Sequence, residues 1–457
     1  MNSAYLHSVD EVLGELRSLG YFPDCSNLST DSRQLTAQDV FLAIPGEKFD
    51  PRTVADDLIA RGQCGVVLVE YDDARSYVSK DVLPVLHLKE MLAELAAAYY
   101  ENPSHGLRVL AVTGTNGKTT VTRWLAQALN AMGEKAGVIG TLGFGLPESL
   151  QFHSGLTTPD PINLQRTLYR MKSQDFKWVC IEASSIGLEQ GRLNHVRIEL
   201  AAYTNFSRDH LDYHSTMEEY EQAKLILARW VGLKHAVVNA DDPCGETFGL
   251  VAQTCGATLV RVGRLSSPDF CIRSVAHSPK GLDVEIFSQS TGSLNLSAPV
   301  VGDFNADNLA LTFAGLVSLG INAQKVAQAL KEVSPAPGRM QKVSNQPCVV
   351  VDYAHTSDAL EKALQALRPV AQESQGLLWV VFGCGGDRDA TKRPLMGAIA
   401  ERYATHVMVT SDNPRSENPE LIMANIFAGF SDVSHALSNV DRATAILQVI
   451  RQAKPED

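Results

Sequence analysis

LRVLAVTGTNGKTT, residues Leu107 to Thr120, decides how the chain is read. Leu107 to Val112 is a short apolar run of the kind that forms a buried strand. Gly114 and Gly117 interrupt it, and Lys118 and Thr119 follow. Val121, Trp124, Leu125, Ala128, Leu129 and Met132 then recur at helical spacing. Strand, glycine loop and helix together aim backbone N–H groups and a helix N-terminus at one point, which suits a phosphate chain. Lys118 is placed to supply a point charge to the β/γ-phosphates, and Thr119 a hydroxyl to Mg²⁺. The general pattern has another Gly five residues before Gly117, where this chain has Val112. A glycine-rich turn with a solvated lysine is the plain alternative; the flanking strand and helix favour nucleotide phosphate.

Composition narrows the surroundings. A chain of 457 residues, 45% hydrophobic, has room for about three domains with ordinary cores. No apolar run is long enough to span a membrane. The start, MNSAYLHSVDEVLGEL, has neither the basic nor the apolar region of a secretory signal. The 8 cysteines are scattered without a CxxC pair, which reads as reduced cytosolic thiols rather than disulfides or a zinc site. The formal charge of −12, with no basic stripe, argues against a nucleic-acid partner. Anionic substrates stay possible, because local Arg and Lys can hold phosphates. No internal repeat is evident.

Taken in order, residues 1–88 read as a small α/β domain. Val9–Leu19 and Thr53–Arg61 are helical, Asp39–Pro45 and Cys64–Glu70 are strands, and Ser29–Arg33 is a polar turn. Residues 89–333 carry the phosphate loop. A lead-in helix, Met91–Tyr100, precedes the loop, and a glycine-rich stretch, Gly137–Gly145, comes after it. Leu156–Asp160 opens a helix that Thr158 or Asp160 can cap. Buried strands are expected at 178–181, 198–204 and 236–240, a hairpin between 258 and 300, and a helix over Asp303–Leu319. Ser334–Gly338 has linker composition. Residues 334–457 then read as βαβαβ, with strands at Val349–Val351, Leu378–Phe382 and Val407–Thr410, hence a parallel, doubly wound, Rossmann-like sheet. Each strand ends in a polar cluster: 352–355, 383–389 and 411–415. Such sheets bind ligands at the carboxyl ends of their strands.

Several residues have both a chemical and a plain reading. Glu182 ends a buried strand and can hold Mg²⁺ as acids do in other phosphate-loop enzymes, or it caps a helix. His210, between Asp209 and Asp212, reads on its own as a structural histidine in a turn. Lys224 lies in a convincing helix, Met217–Arg229, and on helical grounds is a surface lysine. Asn308 can bond a base or ribose, or sit on a helix surface. Arg339, just after the linker, can fold onto a phosphate, or be solvated.

Together these segments resemble the Mur ligases, the ATP-dependent amide ligases of peptidoglycan synthesis. The motifs are TGTNGKTT (113–120), EASS (182–185), NFSRDHLDYH (205–214), NADDP (239–243), GDFNADN (302–308), PGRM (337–340) and DYAHTSDAL (352–360), in family order along nearly the whole chain. Within the family, LTTPD (156–160), GCGGDRD (383–389) and DNPRSENP (412–419) are most similar to the member that adds diaminopimelate as third residue of the stem peptide. The resemblance implies a three-domain α/β chain with a central P-loop ATPase-like parallel sheet. It implies that γ-phosphoryl transfer from ATP to the D-Glu γ-carboxylate of a UDP-N-acetylmuramoyl dipeptide gives an acyl phosphate. The amine of meso-diaminopimelate then attacks that carbon. By the same resemblance Gly114, Thr115, Asn116, Gly117, Lys118, Thr119 and Thr120 cradle the ATP phosphates, and Asn308, Arg339, Asp352 and His355 hold the nucleotide. Thr119, Glu182, His210 and a carbamylated Lys224 (N6-carboxylysine) serve Mg²⁺. Thr157, Thr158, Ser184, Gln190 and Arg192 hold the muramoyl dipeptide, and Ser32, Arg33 and the Gly46–Asp50 loop face its uridine diphosphate. Arg388, Asp412, Asn413 and Arg415 bind diaminopimelate, Arg415 pairing with the distal carboxylate that lysine lacks.

The chain departs from the family pattern at Gln341, where relatives carry Glu, and at Ile186, where many carry His. It stops at Asp457, before the last strand and a GKGHE-like segment, so a truncated C-terminal domain is expected. The expected setting is a cytoplasmic monomer without membrane or nucleic-acid partners. A lysine-adding or folylpolyglutamate-type ligase, a small-molecule kinase and an inactive nucleotide-binding fragment are the alternatives.

Overall fold

The computed structural model describes residues 5–46, 49–151, 155–265, 268–278, 281–434 and 436–457. The chain divides into two compact units, Met1–Val109 with Lys135–Ile198, and Leu110–Glu134 with Glu199–Asp457. Among the described residues no helix is long and apolar enough to cross a membrane.

The first unit holds a four-stranded parallel sheet, Leu28–Ser29, Val40–Ala43, Val66–Glu70 and Val82–Val85, in sequence order. Val40, Phe41, Leu42 and Ala43 are all buried, as a parallel strand covered on both faces requires. One core lies against helices Val9–Ser18 and Leu88–Tyr99 through Val12, Leu16, Val40, Leu42 and Leu95. The other takes the alternate residues Phe41, Ala43, Val67 and Val69 with Leu58. The expected helix over 53–61 is shorter, a 3₁₀ turn Pro51–Val54 followed by Ala55–Ala60. The glycine-rich stretch forms two antiparallel strands, Ala136–Gly140 and Gly143–Leu146, and the former pairs in parallel with Trp178–Glu182. Helix Pro161–Ser173 is capped by Asp160, whose side chain accepts from Asn163 N.

In the second unit, Leu110–Thr113 pairs in parallel with Leu200–Tyr203, which pairs with His235–Asn239 and that with Thr258–Gly263. Thr258–Gly263 pairs with Phe270–Ser278, and an antiparallel ribbon, Phe270–Ser278, Gly281–Ser288 and Gly292–Ala298, continues the order. Helix Lys118–Ala131 is buried from Thr119 to Leu129, so the element that follows the phosphate loop is a core helix.

One strand assignment needs correction. Val349–Val351 does not join the parallel C-terminal sheet. Cys348–Val351 pairs antiparallel with Gln341–Asn345 in a two-stranded ribbon. Only Gln346 and Pro347 separate the two, and so short a connection reverses the chain. Gln341–Asn345 is too polar to announce itself. The parallel sheet consists of Trp379–Phe382, His406–Thr410 and Ala436–Asn439. It is covered on both faces: Val407 and Val409 join the Met396, Ala400 and Ile426 core, while Met408 packs with Ala445 and Val449. Of the three polar clusters, therefore, 383–389 and 411–415 follow strands of this sheet, and 352–355 follows the ribbon.

Candidate active site

The loop between Leu110–Thr113 and helix Lys118–Ala131 needs both its glycines. Gly114 has φ 135° and Gly117 φ 86°. A Cβ on Gly114 would lie 1.9 Å from Thr204 Oγ1, and one on Gly117 2.6 Å from Asn308 Oδ1. The next strand's end supports the loop: Thr115 N donates to Asn205 O (2.8 Å) and Asn116 N to Asn205 Oδ1 (3.0 Å). Gly117, the residue before the helix, offers no side-chain cap, and the helix N-terminus is the kind of end that suits an anion.

Two lysines meet at this loop. Lys118 Nζ donates to Gly114 O and Thr115 O, both at 2.8 Å. Lys224 Nζ donates to the same Gly114 carbonyl at 3.1 Å. Lys224 is 1% exposed, which overturns its reading as a surface lysine. Its helix buries Tyr220, Ala223, Lys224, Leu227 and Ala228, a stripe at spacing three and four that includes the lysine. Burial, and after it the charge of Lys118, pushes the Lys224 amine well below its ordinary value, against an opposing pull from Asp209. His210 takes a left-handed backbone (φ 54°) at the end of the 205–210 loop. Burial lowers its imidazole to about 4, although Asp209 pulls the other way. Asp209 itself is held well below the usual carboxylate range. Burial alone would raise it, but the His355 hydrogen bond and the two imidazoles outweigh that. His355 Nε2 lies 3.3 Å from Asp209 Oδ2.

Beside the loop opens a pocket lined by Asn116, Gly117, Thr120, Asn308, Arg339 and Asp352. Asn308 is buried, not on a helix surface, and its Nδ2 donates to Asn305 Oδ1. Arg339 is half-buried, its guanidinium 4.4 Å over the Tyr353 ring. Asp352 accepts from Met340 N and Ala354 N, both at 2.8 Å. His355 is not among the lining residues; it serves Asp209 instead. The pocket also contains residues the sequence reading passed over: Trp124, Phe304, Asp307 and Lys362. Burial pushes Asp307 up to about 6, with Arg264, 3.0 Å away, pulling it down. Asp307 stands inside the GDFNADN motif, and Lys362 one turn after Asp358, with which it pairs (3.1 Å). Those positions were the available signals.

Arg388, Asp412, Asn413 and Arg415 follow adjacent strands of the C-terminal sheet. Arg388 pairs with Asp212, and Arg415 Nη1 donates to Gly386 O at 2.6 Å.

In the first unit Glu182 is 2% exposed and accepts from Thr141 N (3.0 Å) and Thr141 Oγ1 (3.1 Å). It does not cap a helix; Ser184 does, accepting from Gly187 N. Thr158 is fully buried, and its hydroxyl donates to Glu182 O (2.7 Å), so it braces the site and does not cap the next helix. Thr157 Oγ1 lies 3.1 Å from Thr141 Oγ1. Arg192 Nη1 donates to Thr158 O (2.8 Å) and its Nε to Gln190 Oε1 (3.0 Å), and Thr158 Oγ1 lies 3.0 Å from Ser184 Oγ, so hydrogen bonds link Gln190, Arg192, Thr158 and Ser184 in a chain that reaches Glu182 through its carbonyl. Ser32 and Arg33 form a separate turn in which the largely exposed Arg33 pairs with Asp31. Glu47 and Lys48 of the 46–50 loop lie outside the described residues.

Comparison with known proteins bears on nearly the whole chain. Residues 24–100 match the model described as Mur ligase family, catalytic domain. Residues 112–316 match the Mur ligase middle domain, and 338–457 the Mur ligase, glutamate ligase domain. A curated protein from Acidovorax sp. (strain JS42), named UDP-N-acetylmuramoyl-L-alanyl-D-glutamate--2,6-diaminopimelate ligase, is 42% identical over 441 residues, 94% of this chain and 87% of the relative. One of the same name from Ralstonia nicotianae is 41% identical over 466 residues, 98% of this chain and 89% of the relative. A solved structure with that name is 34% identical, with a TM-score of 0.65 over 94% of this chain and 88% of its own.

Proposed function

Because the chain belongs to the Mur ligase family, whose members are ATP-dependent amide ligases, we propose that it joins meso-diaminopimelate to UDP-N-acetylmuramoyl-L-Ala-D-Glu, giving ADP and phosphate. The observation that carries this reading is the pairing of a glycine phosphate loop with a wholly buried lysine on the same Gly114 carbonyl. A carboxylate is a poor electrophile. Phosphorylation makes its carbon attackable, and the protein's share of the work is positioning and charge neutralisation.

Lys118 and the first-turn N–H groups hold the β/γ-phosphates. Asn308, Arg339 and Asp352 hold the nucleoside side, while Asp307 and Lys362 complete the pocket. Thr157, Thr158, Ser184, Gln190 and Arg192 position the muramoyl dipeptide, with Ser32, Arg33 and the 46–50 loop at its uridine diphosphate. Arg388, Asp412, Asn413 and Arg415 hold diaminopimelate, and Arg415 selects its second carboxylate.

Lys224 is best suited to modification. Its depressed basicity favours the neutral amine, and a neutral amine adds to CO₂ with loss of a proton to give a carbamate anion. The product puts an anion beside Lys118 in place of an amine whose charged form burial disfavours, and so gives Lys118 a salt-bridge partner. Among the described residues no group of three or more His, Cys, Asp or Glu side chains is placed to hold a metal ion. Thr119 and the carbamate would offer Mg²⁺ oxygen donors and His210 a ring nitrogen, and in the first unit Glu182 would offer a carboxylate. Bound there, Mg²⁺ would neutralise phosphate charge as it is transferred.

We also propose functional domains at 1–88, 89–333 and 334–457, supported by the three family models. A cytoplasmic location agrees with all eight cysteines being free. The test is ADP release in the presence of the muramoyl dipeptide with diaminopimelate, with lysine, or with no amine.

A further inference from the structure

The 205–214 segment and loop 383–391 each carry an arginine followed by an aspartate, and they meet twice, each arginine on the other's aspartate. Arg208 Nε lies 3.3 Å from Asp389 Oδ2, and its Nη2 donates to Thr391 Oγ1 at 2.9 Å. In the other direction Arg388 Nη1 pairs with Asp212 Oδ2 at 2.5 Å. The first loop is fixed to the phosphate loop: Ser207 N donates to Thr115 Oγ1 (3.0 Å), and Asn205 accepts from Thr115 N and Asn116 N. The second loop follows strand Trp379–Phe382 and contains Arg388.

We propose that Arg208–Asp389 and Arg388–Asp212 form a reciprocal charge brace that sets the amine-holding loop against the phosphate-loop side, making Arg208, Asp212 and Asp389 positioning residues for attack on the acyl phosphate. The brace rests on the ligase reading given above. A single ion pair would let the loops pivot, whereas two pairs of reversed polarity fix their register. A slip of one position brings Arg208 towards Arg388, and the like charges oppose it. The participants are partly exposed, and pairs of that kind add little to fold stability, so the brace contributes geometry rather than stability. A displacement of about an ångström at a reacting centre is enough to slow attack strongly. Thr391 supports the arrangement by donating its N–H (2.9 Å) and its hydroxyl to Asp389 Oδ1, which keeps Oδ2 turned to Arg208.

The test uses the full chain with Arg208→Asp, Asp389→Arg and the double swap, assayed with ATP, the muramoyl dipeptide and diaminopimelate. Asp389→Asn is added because it keeps the shape that Thr391 contacts. Each single variant is expected to lower kcat/KM for diaminopimelate about tenfold or more. KM for ATP should stay within about twofold and the thermal midpoint nearly unchanged, and the double swap should recover most of the loss. Unchanged amine kinetics in the single variants would overturn the brace, as would a loss shared equally by amine and ATP that the swap does not recover. A wild-type chain without amine-dependent ADP release would instead remove the ligase reading, and the brace's role with it.

Discussion

Lys224 is the residue where burial and chemistry conflict most sharply. An ammonium at 1% exposure, sharing a carbonyl with a second lysine, is costly unless it loses or inverts its charge. Lys224→Ala is expected to lower kcat by about 10²-fold or more. Short carboxylic acids should restore part of it, and intact mass should show one added CO₂ on the wild type. No rescue together with unchanged wild-type mass would return Lys224 to a packing role. Asp307 gives a pH test. Its folded value, about 6, lies above its ordinary 3.8. The folded state therefore holds the proton longer, and Asp307's contribution to stability is lost as pH rises from about 3.8 to about 6. Arg264, Asp241, Lys362 and Asp303 are the charges acting on it. Asp307→Asn should gain in thermal midpoint over the wild type from pH 4 to pH 7; an unchanged difference would contradict the assignment. Neither residue was legible alone. Lys224 lay on an apolar stripe that a charged side chain hides, and Asp307 was one polar residue in a motif valued for its asparagines.

At the scale of elements, the strand–loop–helix around Gly114 was readable because each part carries its own signal: an apolar run, two glycines and a helical period. Gly117→Ala should abolish nucleotide binding. The left-handed backbone costs an Ala side chain about 1–2 kcal/mol, and its Cβ would meet Asn308 Oδ1 at 2.6 Å. Isothermal titration with an ATP analogue checks this, and binding within about threefold of wild type would contradict it. The antiparallel ribbon of Gln341–Asn345 with Cys348–Val351 was not readable, because one strand is polar and pairing partners are set by connection length, not by composition. Strand Ala436–Asn439 escaped for the same reason: short and only partly buried, it pairs on one side only.

At the scale of the whole molecule, motifs that are individually ambiguous gain meaning from their order, and the three family models follow that order from residue 24 to 457. Linkage gives a global readout. A ligand that binds only the folded state adds about 2.7 kcal/mol at a hundredfold excess over Kd. Mg²⁺ with an ATP analogue should therefore raise the thermal midpoint of the wild type and leave Lys118→Ala nearly unmoved; equal shifts would remove Lys118 from phosphate binding. The most direct measurement is ADP release from ATP and UDP-N-acetylmuramoyl-L-Ala-D-Glu with each amine in turn. The expected result is turnover that requires diaminopimelate and is at least about tenfold slower with lysine, the loss of one charged hydrogen-bonded pair at Arg415. ADP release at the same rate without any amine, or equally fast with lysine, would contradict it.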